Sequence, residues 1–283
     1  MARNLMAIKI FTFILCMANA GAQDAALTLA NKYLAGGNYD AAITEFKRFL
    51  CFNIEHEAVS DIYYEIGLAY RNQKKWASAI EALRQSMVYA ENDSVKQERR
   101  ISIAIIQLGT ANYSAAEFEL LRIAHFSDYP GMKSNALYFL GVCYCYLASW
   151  QQAQQAFDEY FKQNPSAAQH AIDSLFASTR DLNYKSPVLA RWLSTFLPGS
   201  GQIYAGDWRN GFNAMILNSI TGYYLIQSLI EQRIKDALIG HLTLFERYYR
   251  GNRHNAAHAA TLHNQKIDEK LSRNILDRLS KTE

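Results

Sequence analysis

Apolar residues between positions 24 and 165 recur at helical spacing, and the pattern repeats. Tyr39, Trp76, Tyr113 and Trp150 stand thirty-seven residues apart. Three residues after each lies an alanine: Ala42, Ala79, Ala116 and Ala153. Seven after comes a bulky side chain: Phe46, Leu83, Leu120 and Phe157. Nine before comes a small one: Ala30, Gly67, Ala104 and Gly141. Six before stand Tyr33, Tyr70, Gln107 and Tyr144. A fixed period of this length marks stacked supersecondary units. The physical reading is a helical hairpin. Small residues let two antiparallel helices approach at their crossing. The aromatic at the start of the second helix is expected to fill the wedge between hairpins. Short turns precede it: Gly36-Gly37-Asn38, Gln73-Lys74-Lys75, Ala111-Asn112 and Ala148-Ser149. Each hairpin leaves apolar surface for the next to cover, which predicts a solenoid over residues 23–165.

Beyond Pro165 the period stops. Residues 166–184 predict one more helix, carrying Ile172, Leu175 and Phe176, that closes the solenoid. Ser186-Pro187 is a helix start. Leu189, Trp192, Leu193 and Phe196 follow on one face, an amphipathic helix with an interfacial tryptophan. Residues 212–230 are nineteen uncharged residues, a spanning length, yet they include Asn213, Asn218, Ser219, Thr221, Gln227 and Ser228. Residues 237–245 are apolar over a shorter run. In the tail, residues 266–283, Ile267, Leu271, Ile275 and Leu279 form a stripe beside Lys266, Lys270, Arg273 and Arg278. That predicts a basic amphipathic helix for an anionic membrane surface or a partner groove, or simply a solvated basic face.

Residues 24–165 resemble the tetratricopeptide repeat family: the small, aromatic, alanine and bulky positions fall where that family has them, and Pro165 sits at its repeat-ending proline. The period is longer than the family's thirty-four, and Gln107, Phe49 and Tyr160 depart from its pattern. The resemblance places Tyr64, Leu68, Ile105, Leu108, Tyr138, Val142 and Tyr146 along an inner groove. A groove of that character suits an amphipathic helix or an extended apolar peptide. It is equally open to filling by the chain's own rear half. The family's carboxylate clamp is not expected, since Asn31 and Asn72 stand without the lysines that go with it.

A second resemblance covers residues 185–265. Pro198, Gly199, Gly201, Gln202, Tyr204 and Gly206 spell the PGxGQxYxG signature of small bacterial two-helix membrane modules related to the TM2 domain. A second part of that pattern is Tyr248-Tyr249-Arg250-Gly251-Asn252, followed by four alanines and Asn264. The resemblance implies a tight turn between an interfacial helix and an apolar hairpin, with Tyr204 and Trp208 at headgroup depth. The charges oppose spanning with an exported solenoid. Arg233 and Lys235 in the hairpin turn are balanced by Glu231 and Asp236, while Arg191, Arg209, Arg247, Arg250 and Arg253 flank it. The hairpin then lies on the membrane, packs on the solenoid, or has reversed topology.

Arg3 and Lys9, the apolar run 10–17 and small residues at 18–22 read as a secretory signal peptide over residues 1–22. Leu15 before Cys16 speaks against a lipidation site. Export places the chain on the periplasmic side of a bacterial envelope. Cys51, Cys143 and Cys145 then remain, all three read as small core residues. Charge divides the chain. Residues 21–184 carry 14 Lys and Arg against 18 Asp and Glu, and residues 185–283 carry 13 against 8. The net charge of +3 gives no reason to expect a nucleic-acid partner.

The glycines at 199–211 do not read as a phosphate cradle, because a helix rather than a strand precedes them and no GK[ST] follows. His254 and His258 share a helix face, but two ligands do not make a metal site. No nucleophile or acid–base signature is present, so neither an enzyme nor a cofactor is expected. The sequence therefore predicts an all-α protein: a solenoid of four hairpins, then a helical hairpin module associated with a membrane. Its expected function is a scaffold that binds a protein or peptide at the envelope. The alternative is a membrane component of an assembly or transport machine that works through the hairpin.

Overall fold

The computed structural model describes residues 25–166 and 168–281, so the signal-peptide expectation for residues 1–22 falls outside the described residues. Every regular element among those residues is helical. They divide into two compact units. One runs to Leu147 and takes in Gln151–Asn164; the other holds Ala148–Trp150 and everything from Pro165 onward.

The first unit is built from four hairpins. Residues 25–35 (α1) pair with Tyr39–Phe52 (α2), and Val59–Asn72 (α3) pairs with Trp76–Tyr89 (α4). Asp93–Gly109 (α5) pairs with Tyr113–Phe126 (α6), and Pro130–Tyr146 (α7) precedes Trp150–Gln163 (α8). Every second helix starts on the repeating aromatic. The turn that permits this is also periodic. Gly37, Lys74, Ala111 and Ala148 all have left-handed backbones, at φ of 72°, 60°, 58° and 53°. In the second hairpin Lys74 N–H bonds Arg71 O and Lys75 N–H bonds Tyr70 O, both at 2.9 Å, the double closure of a Schellman turn. A side chain in that conformation costs about 1–2 kcal/mol, so only the glycine turn is unstrained.

The core follows the columns. All four alanines are fully enclosed, and Phe46, Leu83, Leu120 and Phe157 are at most 1% exposed. Burying each such side chain contributes about 1.5–3 kcal/mol. The small column faces the bulky one across each crossing. A Cβ on Gly141 would stand 2.6 Å from the Phe157 ring, and one on Gly67 would stand 3.0 Å from Leu83 Cγ. The aromatic column behaves differently from expectation. Tyr39, Tyr113 and Trp150 are only half-buried and Trp76 is exposed, so these rings stand at the rim of the wedge rather than filling it. Arg99 forms a buried tie that the pattern did not foretell. Its guanidinium bonds Asp61 at 2.8 Å and Ser86 Oγ at 3.2 Å and lies 3.6 Å from the Tyr64 ring centre, locking α3, α4 and α5.

The second unit contains Ala168–Ala177 (α9), Pro187–Phe196 (α10), Ser200–Tyr204 (α11), Trp208–Ile230 (α12), Ile234–Gly240 (α13) and Glu246–Leu279 (α14). A π-helical turn, His241–Phe245, leads into α14. Two expectations change here. The helix expected to close the solenoid, α9, packs on α14 within this unit, with Ile172 and Phe176 buried. The expected boundary at residue 265 falls inside α14, one continuous helix of 34 residues. The stripe of its second half is not offered to a membrane or partner, because Leu271, Ile275 and Leu279 are buried.

The turns of this unit reuse the hairpin device. Gly206 (φ 85°) and Gln232 (φ 57°) are left-handed. Gly206 N–H bonds Ile203 O at 2.9 Å and Asp207 N–H bonds Gln202 O at 2.8 Å, and Gln232 and Arg233 do the same over Leu229 and Ser228.

Candidate functional site

The seven residues expected to line the groove sit on the first helices of their hairpins, α3, α5 and α7. Tyr146 and Ile105 are exposed, at 49% and 36%. Leu68, Leu108 and Val142 are half-buried. The tyrosines are partly engaged by their own unit. Tyr64 packs on the cluster of Ala79, Leu83, Ile103 and Ile106 beneath the Arg99 guanidinium. Tyr138 meets Phe157 edge-on at 6.2 Å and Tyr160 at 5.3 Å. Tyr146 stacks on Tyr113 at 5.3 Å. Polar groups share this face: Glu65 is half-buried beside Arg99, and burial raises its pKa above the ordinary carboxylate value.

The glycine-rich motif is the centre of a buried network rather than an exposed turn at a headgroup layer. Ser194 on α10 donates to Gln202 Oε1 at 2.9 Å and accepts from Gly201 N–H at 2.9 Å. Gln202 Nε2 bonds Asn252 Oδ1 on α14 at 2.9 Å. Asn252 in turn accepts from Gly199 N–H at 3.0 Å and donates to Ser194 O at 3.0 Å. Ser194, Gln202 and Asn252 are at most 3% exposed. Each buried polar atom here has a partner, which is the condition for such a network to stabilise a fold.

The glycines are dictated by proximity. A Cβ on Gly201 would lie 1.9 Å from Ala190 O, and one on Gly199 would lie 2.1 Å from Gly211 O. These are backbone atoms that cannot yield. Gly199 also has φ 93°, which suits glycine. Pro198, half-buried, ends α10 ahead of it. Tyr204 is half-buried against Ala190, Ala205, Ala256, Ala259 and Ala260, and its hydroxyl accepts from Ser186 N–H at 3.1 Å. It is a packing residue, unlike Trp208, which is 58% exposed. The two parts of the motif therefore meet in space. Tyr249 donates to Thr195 O at 2.7 Å, and Asn264 exchanges two hydrogen bonds with the Lys185 backbone. Sequence reasoning missed Ser194 and Ala190, which looked like ordinary residues of an amphipathic helix. Their one signal was a serine on the face of α10 that also carries Ala190.

On α12 and α13 the usual distribution is inverted. Asn218, Ser228 and Ala237 are buried, whereas Ile216, Ile220, Tyr223, Ile226, Leu229 and Ile230 are 51–75% exposed. Ile234, Leu238 and Ile239 on α13 are exposed to a similar degree. No helix among the described residues is long and apolar enough to cross a membrane. For α12 the reason is composition: its 23 residues have the length, but the polar side chains along it lower its hydropathy.

No group of His, Cys, Asp and Glu that could hold a metal occurs among the described residues. His254 and His258 stack on each other with ring centres 6.4 Å apart. Cys143 and Cys145 are buried thiols whose pKa values burial pushes up to about 11 and about 12, so neither is a ready nucleophile. Cys51, expected in the core, is exposed.

The family model of the tetratricopeptide repeat matches residues 61–87, which span most of α3 and α4. No curated protein matches the chain. Among solved structures, the chain is similar to a tetratricopeptide repeat protein from Parabacteroides merdae (14% identity, 90% of this chain and 99% of that one, TM-score 0.48). It is also similar to Pseudomonas aeruginosa pilF (18%, 86% and 99%, 0.44) and to the MamA protein (20%, 56% and 81%, 0.44). The family match lies on the second hairpin, and that hairpin's geometry recurs along the first unit, which is an all-α solenoid of helical hairpins.

Proposed function

We propose that the chain is a non-catalytic scaffold: its repeats bind a protein or peptide, and its second unit seats the molecule at a membrane of the bacterial envelope. The observation that carries the membrane part is the inverted hairpin. In water, large apolar side chains turn inward; in lipid, small and polar residues mediate helix contacts and apolar ones face out. The second arrangement is the one on α12 and α13. A contiguous exposed apolar surface of this extent marks an interaction site. The partner part rests on the exposed Ile105 and Tyr146 and the half-buried apolar residues between them.

Fractionation of the expressed full chain tests the membrane part. Retention through carbonate and release by detergent is expected, and release by carbonate refutes it. An Ile216→Lys, Ile220→Lys, Tyr223→Lys variant should shift the chain to the carbonate-soluble fraction. For the scaffold part, an Ile105→Ala, Tyr146→Ala variant should lose in-cell crosslinks that the parent forms. Unchanged crosslinks would move the partner surface elsewhere.

A further inference from the structure

Within the second unit a cavity of about 510 Å³ opens between α12 and the first half of α14. Its volume suits one small ligand. The lining is rich in carboxamides: Asn210, Asn213, Asn218 and Asn255, with Asp207 and Arg247 as the charged groups. Leu217, Leu262 and Tyr248 supply apolar wall. One lining residue is unfinished. Asn218 is 5% exposed, and its Nδ2 donates to Ala214 O at 2.7 Å, but its Oδ1 has no partner. An unpaired buried acceptor of this kind calls for an explanation. Asn213, Asn255 and Arg247 are exposed in the lining.

We propose that this cavity binds a polyhydroxyl group, a sugar or a sugar-bearing headgroup. The argument is one of donor and acceptor balance. Asn213 and Asn255 each offer both a donor and an acceptor, as does each hydroxyl of a polyol, whereas Asn218 and Asn210 already donate from their amide nitrogens to Ala214 O and Asp207. The Asn218 Oδ1 requires a donor, which a fully ionised anion cannot supply. Asp207, which already accepts from Asn210, offsets the charge of Arg247, and the one other titratable lining group besides Tyr248 is His258, so the site has no excess of fixed positive charge with which to hold phosphate. The apolar wall beside Tyr248 matches the C–H face of a sugar ring. The assignment goes beyond the scaffold reading and does not depend on it.

The test uses the purified full chain in a zwitterionic detergent with D-glucose as ligand, followed by isothermal titration and saturation-transfer NMR. Saturable binding is expected. Asn218→Leu should weaken it about ten-fold or more, a change of about 1.4 kcal/mol, while the protein keeps its thermal transition. Should Asn218→Leu fail to fold, the paired variant Asn213→Ala, Asn255→Ala alters only exposed walls and should weaken binding likewise. Flotation with phosphatidylcholine vesicles, with and without a monoglucosyl diacylglycerol, separates the sources. Capture by the glucolipid above the level for plain vesicles identifies a headgroup, and binding of free glucose alone identifies a soluble sugar. Inorganic phosphate binding in place of glucose, no saturable response to glucose or glucolipid, or full binding by folded variants would each overturn the proposal. The glucose titration is made in solution, so it stands even if carbonate releases the chain from membranes.

Discussion

The two units solve the burial problem in opposite ways. In the repeats, rings and branched chains such as Phe46, Leu83, Leu120 and Phe157 fill the interior, and small residues only make room for them. In the second unit the interior beneath the glycine motif is alanine, glycine and hydrogen bonds, while isoleucines and tyrosines of α12 point outward. One interior is held by volume, the other by closeness and complementarity. Stability by volume degrades gradually as atoms are trimmed. Stability by closeness fails when a single methyl group is added, because the neighbour is backbone.

The largest expected effect follows from that contrast. Gly201→Ala drives a Cβ against Ala190 O and should cost about 3 kcal/mol or more. Gly141→Ala, which meets only the Phe157 side chain, should cost less, about 1–3 kcal/mol. Calorimetric unfolding of both variants decides it; equal losses would erase the distinction. Next, Asn252→Leu removes the hub of the network and strands Gly199 N–H and Ser194 O, for an expected loss of about 3 kcal/mol in urea melts. The same kind of change in the repeats should help. Gln107 is buried with an unpartnered Oε1, so Gln107→Leu is expected to stabilise by about 1 kcal/mol. Ala111→Gly relieves a left-handed alanine and should raise the melting temperature by a similar free energy, about 1 kcal/mol.

The smallest effect is a pH dependence. Burial raises the Glu65 pKa in the folded state, so the folded form holds that proton more tightly than the unfolded chain does. Ionisation of Glu65 thus lowers stability as pH rises through its folded pKa. Glu65→Gln should show a slight gain in melting temperature at neutral pH. That gain should disappear below about pH 4, where the unfolded carboxyl is also protonated. A gain that persists in acid would assign the effect to something other than charge.

The first unit was legible because its signal is repetition. A column such as Ala42, Ala79, Ala116 and Ala153 states the same constraint four times, and the helix starts land on the aromatic column. The depth of those aromatics was not legible, since spacing gives a direction but not the distance to the next hairpin. Arg99 was invisible for another reason: an arginine on a helix reads as solvated unless its partners, Asp61 and Ser86, are already known to be near. In the second unit the glycines announced a special backbone, and residues 248–264 were recognised as its companion. That Asn252 reaches Gln202 depends on the tertiary fold, fifty residues away. The fate of the tail was misjudged because an apolar stripe does not name what covers it.

The continuity of α14 has a consequence for how this chain can change its length. At 100° per residue, one inserted residue between Asn252 and Asn264 would swing Asn264 away from Lys185 and turn the buried Leu271–Ile275 face out of its packing. Only insertions near whole numbers of turns keep phase, and those still shift everything downstream along the axis. The repeats accept a complete extra copy while each helix keeps its phase against its partner in the same hairpin. Length variants of this protein should therefore differ by whole hairpins in the first unit and preserve residue count in α14.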